Sequence, residues 1–159
     1  DMLLRAWLPI EDKYPEWSLR IVGEGAKRAA LEEQIKDLRL QHVCLAGKAV
    51  HIAQEYAAAS LFVLSSRYEG FSLVLAEAMW SGVPCVAFDC PNGPAELLAS
   101  GRGWLVPANN VTKLSAQIEY VITHPEEAVI RAQKAQAFAQ ETYSEAVIMP
   151  QWEKIMKND

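Results

Sequence analysis

The sequence is poor in the residues that would tie it to a metal site or a disulfide framework. Three cysteines, Cys44, Cys85 and Cys90, are odd in number and show no C-x-x-C spacing. A disulfide scaffold or structural zinc site is therefore not expected, and a reducing compartment fits. Cys44 and Cys85 lie within apolar runs, where Cys is expected as a small buried hydrophobe. The histidines, His42, His51 and His124, are scattered, with no H-E-x-x-H or similar pair, so no metal is expected. No run of about 18 uncharged apolar residues exists to span a bilayer. Basic clusters are missing too: 15 Lys and Arg stand against 20 Asp and Glu, for a net charge of -5. That excludes the electrostatic footprint of a nucleic-acid binder. The opening Asp1-Met2-Leu3-Leu4-Arg5 has no basic leader region, and its apolar pattern starts in mid-element, as expected of a piece of a longer chain. The match of Asn110-Val111-Thr112 to a glycosylation acceptor carries no weight without secretion.

What is present is a globular chain of 51% hydrophobic residues with an alternating pattern. Leu3, Leu4, Trp7 and Leu8 form the end of an apolar helical face. Short β-rich runs follow at 17–23, 43–46, 61–64, 84–88 and 104–106. Between and after them, helical spacing covers 26–39, 50–58, 72–81, 94–100, 111–123, 126–141 and 144–157. Strands alternating with helices predict βαβ units and a parallel sheet. The strands are continuous apolar runs, which predicts burial on both faces, and residues 41–100 carry only seven charged side chains. Neither an internal repeat nor a linker is visible. The expected fold class is α/β, one doubly wound parallel sheet in a single domain over 1–159.

Ligands of such sheets bind beyond the carboxyl ends of the strands, near helix N-termini. Four turns are informative there. Gly23-Glu24-Gly25 begins like a dinucleotide fingerprint, but Arg28 stands where the third Gly belongs; a tight turn explains it equally. Gly47-Lys48 lacks the following Ser/Thr of a phosphate-binding loop, and no G-x-S-x-G elbow offers a nucleophile. The segment Ser65-Ser66-Arg67-Tyr68-Glu69-Gly70-Phe71-Ser72 is more specific. Gly70 permits close backbone approach, Ser72 is a natural N-cap, and the helix it opens offers free N–H groups to an anion. That helix, Leu73 to Trp80, is apolar on nearly every side and expected to be buried, with Glu77 as its only ionisable residue. Glu77 either has a partner elsewhere in the protein or accepts hydrogen bonds from ligand hydroxyls; Glu69 is either a solvated loop carboxylate or faces the same cleft. The turn Asp89-Cys90-Pro91-Asn92-Gly93-Pro94 is either a plain connection or a wall of that cleft. Arg67 and Lys48 are the cations available to offset the surplus of Glu.

Glu69 to Glu77, EGFSLVLAE, followed by AMWSGVPCVAFD, resembles the signature of the retaining glycosyltransferase family 4. Gly23-Glu-Gly25, the Gly47 turn, Ser65 and Gly103-Trp-Leu-Val-Pro107 fall in the order that family shows, so the resemblance covers nearly the whole chain. It implies the C-terminal, nucleotide-sugar-binding half of a two-domain GT-B enzyme, with a Rossmann-like sheet whose first strand precedes residue 1. The resemblance places the donor diphosphate on the amides of Gly70, Phe71 and Ser72. Glu77 would hold the ribose hydroxyls and Glu69 would face the transferred sugar as the catalytic residue. Gly23, Gly25, Arg67 and the turn of Lys48, Ala49 and Val50 complete the donor site, the last lining the base. No metal or other cofactor is implied, and the sequence has no D-x-D pair.

The DCPNGPAEL segment is similar to members that use UDP-hexoses or their N-acetyl derivatives in bacterial polysaccharide synthesis. The acceptor would be a glycan or a lipid-linked chain, bound by an N-terminal domain outside this sequence. Membrane contact would belong to that half, at the inner face of a cytoplasmic membrane. The phosphate-clamping Arg and Lys of the family also lie outside this chain, so the polypeptide alone is expected to be inactive. The terminal helix, 144–159, would pack on the absent domain. Two other readings remain at this point: a non-enzymatic nucleotide-binding or scaffold domain of the same fold, and a UDP-sugar epimerase half, which should lack EGFSLVLAE.

Overall fold

A computed structural model describes residues 1–157. Its elements run α1 (Met2–Lys13), β1 (Leu19–Val22), α2 (Arg28–Asp37), β2 (Val43–Gly47), α3 (Ile52–Ala58), β3 (Phe62–Leu64), α4 (Leu73–Trp80) and β4 (Cys85–Asp89). There follow α5 (Pro94–Leu97), a 3-10 turn (Ala99–Gly101), β5 (Trp104–Pro107), α6 (Val111–Thr123), α7 (Pro125–Tyr143) and α8 (Glu145–Met156). The segment expected as one helix over 94–100 is thus broken, with Ser100 at φ 58 inside the 3-10 turn. Residues 158 and 159, the tail of the expected terminal helix, lie outside the described residues.

Every strand pairing is parallel, as the βαβ pattern predicts, but the strands form two sheets rather than one: β1-β2 and β3-β4-β5. β4, the central strand of the latter, is covered on both faces. Val86 and Phe88 point into a core with Leu4, Trp7 and Ile10 of α1 and Leu114 and Ile118 of α6. Cys85 and Ala87 point the other way, onto Leu75, Ala78 and Met79 of α4 and Ala135 and Ala139 of α7. The small alanines of α7 let it lie close against α4. The α1 side of the core also takes in Leu19 and Leu40, so α1 ties the two sheets together.

Burial on both strand faces holds for β4 but not for β1 and β5, which alternate, nor for β2 and β3, which are half-buried. Cys44, expected inside, is exposed, whereas Cys85 and Cys90 are buried. The reason is position: among the described residues β2 pairs only with β1, and Cys44 lies beside its register partner, the exposed Arg20, with Sγ 3.5 Å from Nη1.

Between the sheets is a slot of about 720 Å³. The free edges of β1 and β3 form its walls, joined by Trp7 of α1, Tyr56 of α3 and Val74 of α4. Arg20 and Glu55, which both line it, form a two-bonded ion pair at 2.6 and 3.0 Å. No described helix is long and apolar enough to cross a membrane.

Candidate functional site

The loop leaving β3 is shaped by two backbones in the left-handed region. Ser72, at the N-cap of α4, has φ 61 and ψ 49, a conformation that costs a non-Gly residue of order 1–3 kcal/mol. Gly93 has φ 115, and a Cβ there would lie 2.8 Å from the carbonyl oxygen of Phe71 and 2.9 Å from Ser72 Oγ. Only glycine lets the two turns meet this closely. Ser72 sits where the sequence places a cap, but it does not cap: its side chain makes no hydrogen bond to the helix. Side-chain capping needs an extended N-cap backbone, and the left-handed one turns the hydroxyl away. Oγ is buried and unpartnered, the one such side-chain polar atom among the described residues.

The Ser72 carbonyl accepts from Leu75 N–H at 2.9 Å and Ala76 N–H at 3.1 Å. Among the described residues the amides of Gly70, Phe71, Ser72, Leu73 and Val74 have no acceptor. The start of α4 is thus an open set of donors carrying the positive end of the helix dipole.

The second turn, 89–94, lies directly against the first. Glu69 N–H donates to the Pro91 carbonyl at 3.4 Å, and the Asn92 side-chain amide donates to the Tyr68 hydroxyl at 3.3 Å. Cys90 is buried, and burial and then the Glu69 charge push its thiol above the usual range.

α4 is not buried all round. Leu75, Ala78 and Met79 face the core, while Leu73 is 66% exposed and Val74, Glu77 and Trp80 are exposed as well. Apolar residues occupy all sides of the helix, but the described residues cover only one. Glu77 is therefore exposed rather than enclosed in the core. It has one partner, Tyr56, whose hydroxyl lies 2.9 Å from Oε2. The sequence gives no sign of Tyr56, because the contact joins residues 21 apart in different elements. Arg67, read as a cation for the site, is already engaged: Nη2 lies 2.6 Å from Asp1 Oδ2. Both are exposed, so this pair adds little stability and can yield to a stronger anion.

The other expected site residues gather separately, at the ends of β1 and β2. Gly23 N–H donates to the Gly47 carbonyl at 2.8 Å, bringing the Gly23–Gly25 turn against the turn of Lys48, Ala49 and Val50. Gly23 needs its φ of 133, but a Cβ at Gly23 or Gly25 would meet nothing within 4 Å. Lys48 is exposed and in no ion pair among the described residues, and Val50 is 88% exposed. Two pairs of turns, 23–25 with 47–50 and 65–72 with 89–94, thus stand at carboxyl ends of parallel strands, where open α/β sheets bind ligands.

A sequence-family model described as "Glycosyl transferases group 1" matches residues 1–124. The chain belongs to that family. This glycosyl transferase domain is 38% identical, over 98% of its length, to an exopolysaccharide phosphotransferase of Streptomyces coelicolor, and covers 17% of that protein. It is 32% identical, over 88% of its length, to the amylovoran biosynthesis glycosyltransferase AmsD of Erwinia amylovora, and covers 40% of it. It therefore spans less than half of either relative. Among solved structures, Anabaena HepE in complex with UDP-glucose superposes with a TM-score of 0.90 at 27% identity, covering 99% of this chain and 44% of the other. The α/β fold with parallel sheets is that of the Rossmann-like domains of GT-B glycosyltransferases.

Proposed function

We propose that the chain is the donor-binding half of a retaining, metal-independent family 4 glycosyltransferase. It takes a hexose or N-acetylhexosamine from a nucleotide-sugar, UDP-linked, for transfer to a glycan or lipid-linked acceptor in bacterial polysaccharide synthesis. The observation that carries this reading is the open amide end of α4, backed by Gly93, with the exposed Glu77 carboxylate farther along the same helix. A diphosphate needs converging N–H donors and a positive dipole; the amides of Gly70, Phe71 and Ser72 supply them. Ser72 Oγ is a further polar group beside it that lacks a partner. A ribose needs an acceptor for its hydroxyls, and Glu77 lies five residues, about 7 Å, along the axis. Glu69 faces the transferred sugar, and Lys48, Ala49 and Val50 with Gly23 and Gly25 line the base. The fold match to a UDP-glucose complex supports the choice of nucleotide.

In the reaction, the bond from the sugar anomeric carbon to the diphosphate oxygen breaks, an acceptor hydroxyl oxygen bonds to that carbon with configuration retained, and the hydroxyl proton passes to the departing diphosphate. The protein's part is to position the donor and stabilise the leaving diphosphate through preorganised amides.

The acceptor site, any contact with the cytoplasmic face of a membrane, and further cations for the diphosphate belong to the rest of a longer protein. On this reading α8 packs against that remainder. Its exposed Met149, Trp152, Ile155 and Met156, and the absence of any buried residue in it, support this. The slot between β1 and β3 accepts one more strand from the same source. Asp1, which opens α1, lies against Arg67 just beyond the end of β3, where a strand in that slot would feed into α1. This chain by itself transfers no sugar.

The test is calorimetric titration of the full-length protein with UDP, GDP and ADP sugars, with and without Glu77→Ala. Losing hydrogen bonds to a charged acceptor costs about 1.5–3 kcal/mol, or roughly ten- to a hundredfold in affinity. Unchanged affinity in the variant rules out the ribose role of Glu77.

A further inference from the structure

We infer that Tyr56 positions Glu77, holding one carboxylate oxygen through its phenolic O–H so that the other is presented, already oriented, to the ribose hydroxyls. The inference rests on the donor-site reading and extends it to a residue outside the four turns.

An exposed glutamate on a helix has several rotamers, and ordering it on binding weakens the complex. Here the ordering is done in advance. Tyr56 is 6% exposed and is the one buried residue of α3. Its ring sits in the core formed by Leu64, Leu75 and Met79 and meets Phe62 edge-on, with centroids 6.0 Å apart. The core therefore fixes where the hydroxyl can go. It has one proton and two acceptors in reach, Glu77 Oε2 at 2.9 Å and the Val74 carbonyl at 3.1 Å. The carboxylate is the nearer and the charged one, and charge-assisted bonds are shorter and stronger. Burial, followed by the bond to Glu77, pushes the Tyr56 hydroxyl well above its ordinary range, so it stays a donor at physiological pH. Tyr56 and Val74 also line the slot between the sheets, so the pair stands where the two half-sheets and the donor loop converge.

The experiment measures binding of UDP and of 2′,3′-dideoxy-UDP to the full-length protein, its Tyr56→Phe and Glu77→Ala variants and the double variant. Phenylalanine keeps the ring and its packing on Phe62 and removes only the hydroxyl. The wild type should prefer UDP. Tyr56→Phe should reduce that preference about three- to tenfold, leaving the dideoxy nucleotide unaffected. The double variant should show no preference beyond that of Glu77→Ala, since Tyr56 acts through Glu77. An unchanged preference in Tyr56→Phe, or an equal loss for both nucleotides, overturns the inference. If Glu77→Ala itself leaves the preference intact, the ribose role of Glu77 fails, and this inference with it.

Discussion

A close approach in the candidate site is between Gly93 and the Phe71–Ser72 segment, and Gly93→Ala tests whether it shapes that site. The substitution has two costs. An L-residue at φ 115 is strained by about 1–3 kcal/mol. The new methyl would also meet Phe71 O at 2.8 Å, Ser72 Oγ at 2.9 Å and Phe71 C at 3.1 Å. Two of these three atoms are backbone, so the loop must move, and overpacking of this kind costs about 1–3 kcal/mol more. Gly23→Ala is the internal control, because φ is 133 there but nothing lies within 4 Å of the added methyl. Backbone strain is common to the two variants; crowding of the α4 amides is confined to Gly93. At roughly 2–4 °C per kcal/mol, Gly23→Ala should lower the melting temperature by about 2–12 °C and Gly93→Ala by about 4–24 °C. Only Gly93→Ala displaces the amides, so UDP affinity of the full-length protein should fall tenfold or more in that variant and clearly less in the control. If Gly93→Ala binds UDP like the wild type, or loses no more than Gly23→Ala, the close approach does not set the geometry of the diphosphate site.

Two further predictions concern the framework. Glu11 is 8% exposed and accepts from Trp7 Nε1 at 3.1 Å and from the backbone N–H groups of Gln41 and His42 at 2.5 and 3.0 Å. Glu11→Ala orphans these donors at about 1–3 kcal/mol each, so the melting temperature should fall by at least about 6 °C and less in Glu11→Gln; a fall under 2 °C refutes the clamp. Cys44 is exposed, whereas Cys85 and Cys90 are buried and burial pushes both thiols up, away from the reactive thiolate. Iodoacetamide followed by mass spectrometry should therefore label Cys44 first in the folded protein and all three after unfolding; early labelling of Cys85 would contradict the core packing.

Local patterns carried most of the fold into view. The βαβ alternation, the parallel pairing and the strand-to-helix turns follow from short continuous apolar runs, a helical period of 3.6 and glycine, which act over a few residues. What escaped depends on neighbours that periodicity does not encode. Cys44 sits in an apolar run yet is exposed, because burial of a strand depends on its place in the sheet, and β2 is an outer strand. The division into two sheets is a fact about β1 and β3 not pairing, which neither strand's composition reports. Ser72 reads as a cap by residue type, but contact with Gly93, 21 positions away, accompanies a backbone in which it cannot cap. Tyr56 was missed for the same kind of reason.

Charge around the α4 amides is visible in composition and only partly in arrangement. Glu69 and Glu77 flank the α4 amides, and a helix N-terminus supplies only about half a positive charge. Arg67 could have offset the difference, but Asp1 holds it at 2.6 Å, in an exposed pair of little intrinsic strength. On the donor-site reading this pair has a consequence. A bound diphosphate offers Arg67 more negative charge than one carboxylate does, and geometry suited to two oxygens at once. Nucleotide binding would then release Asp1 from Arg67, at the start of the helix that ties the two sheets together. The donor site and the junction between the sheets share a residue pair, and what fills the slot beside it also bears on whether Arg67 is available.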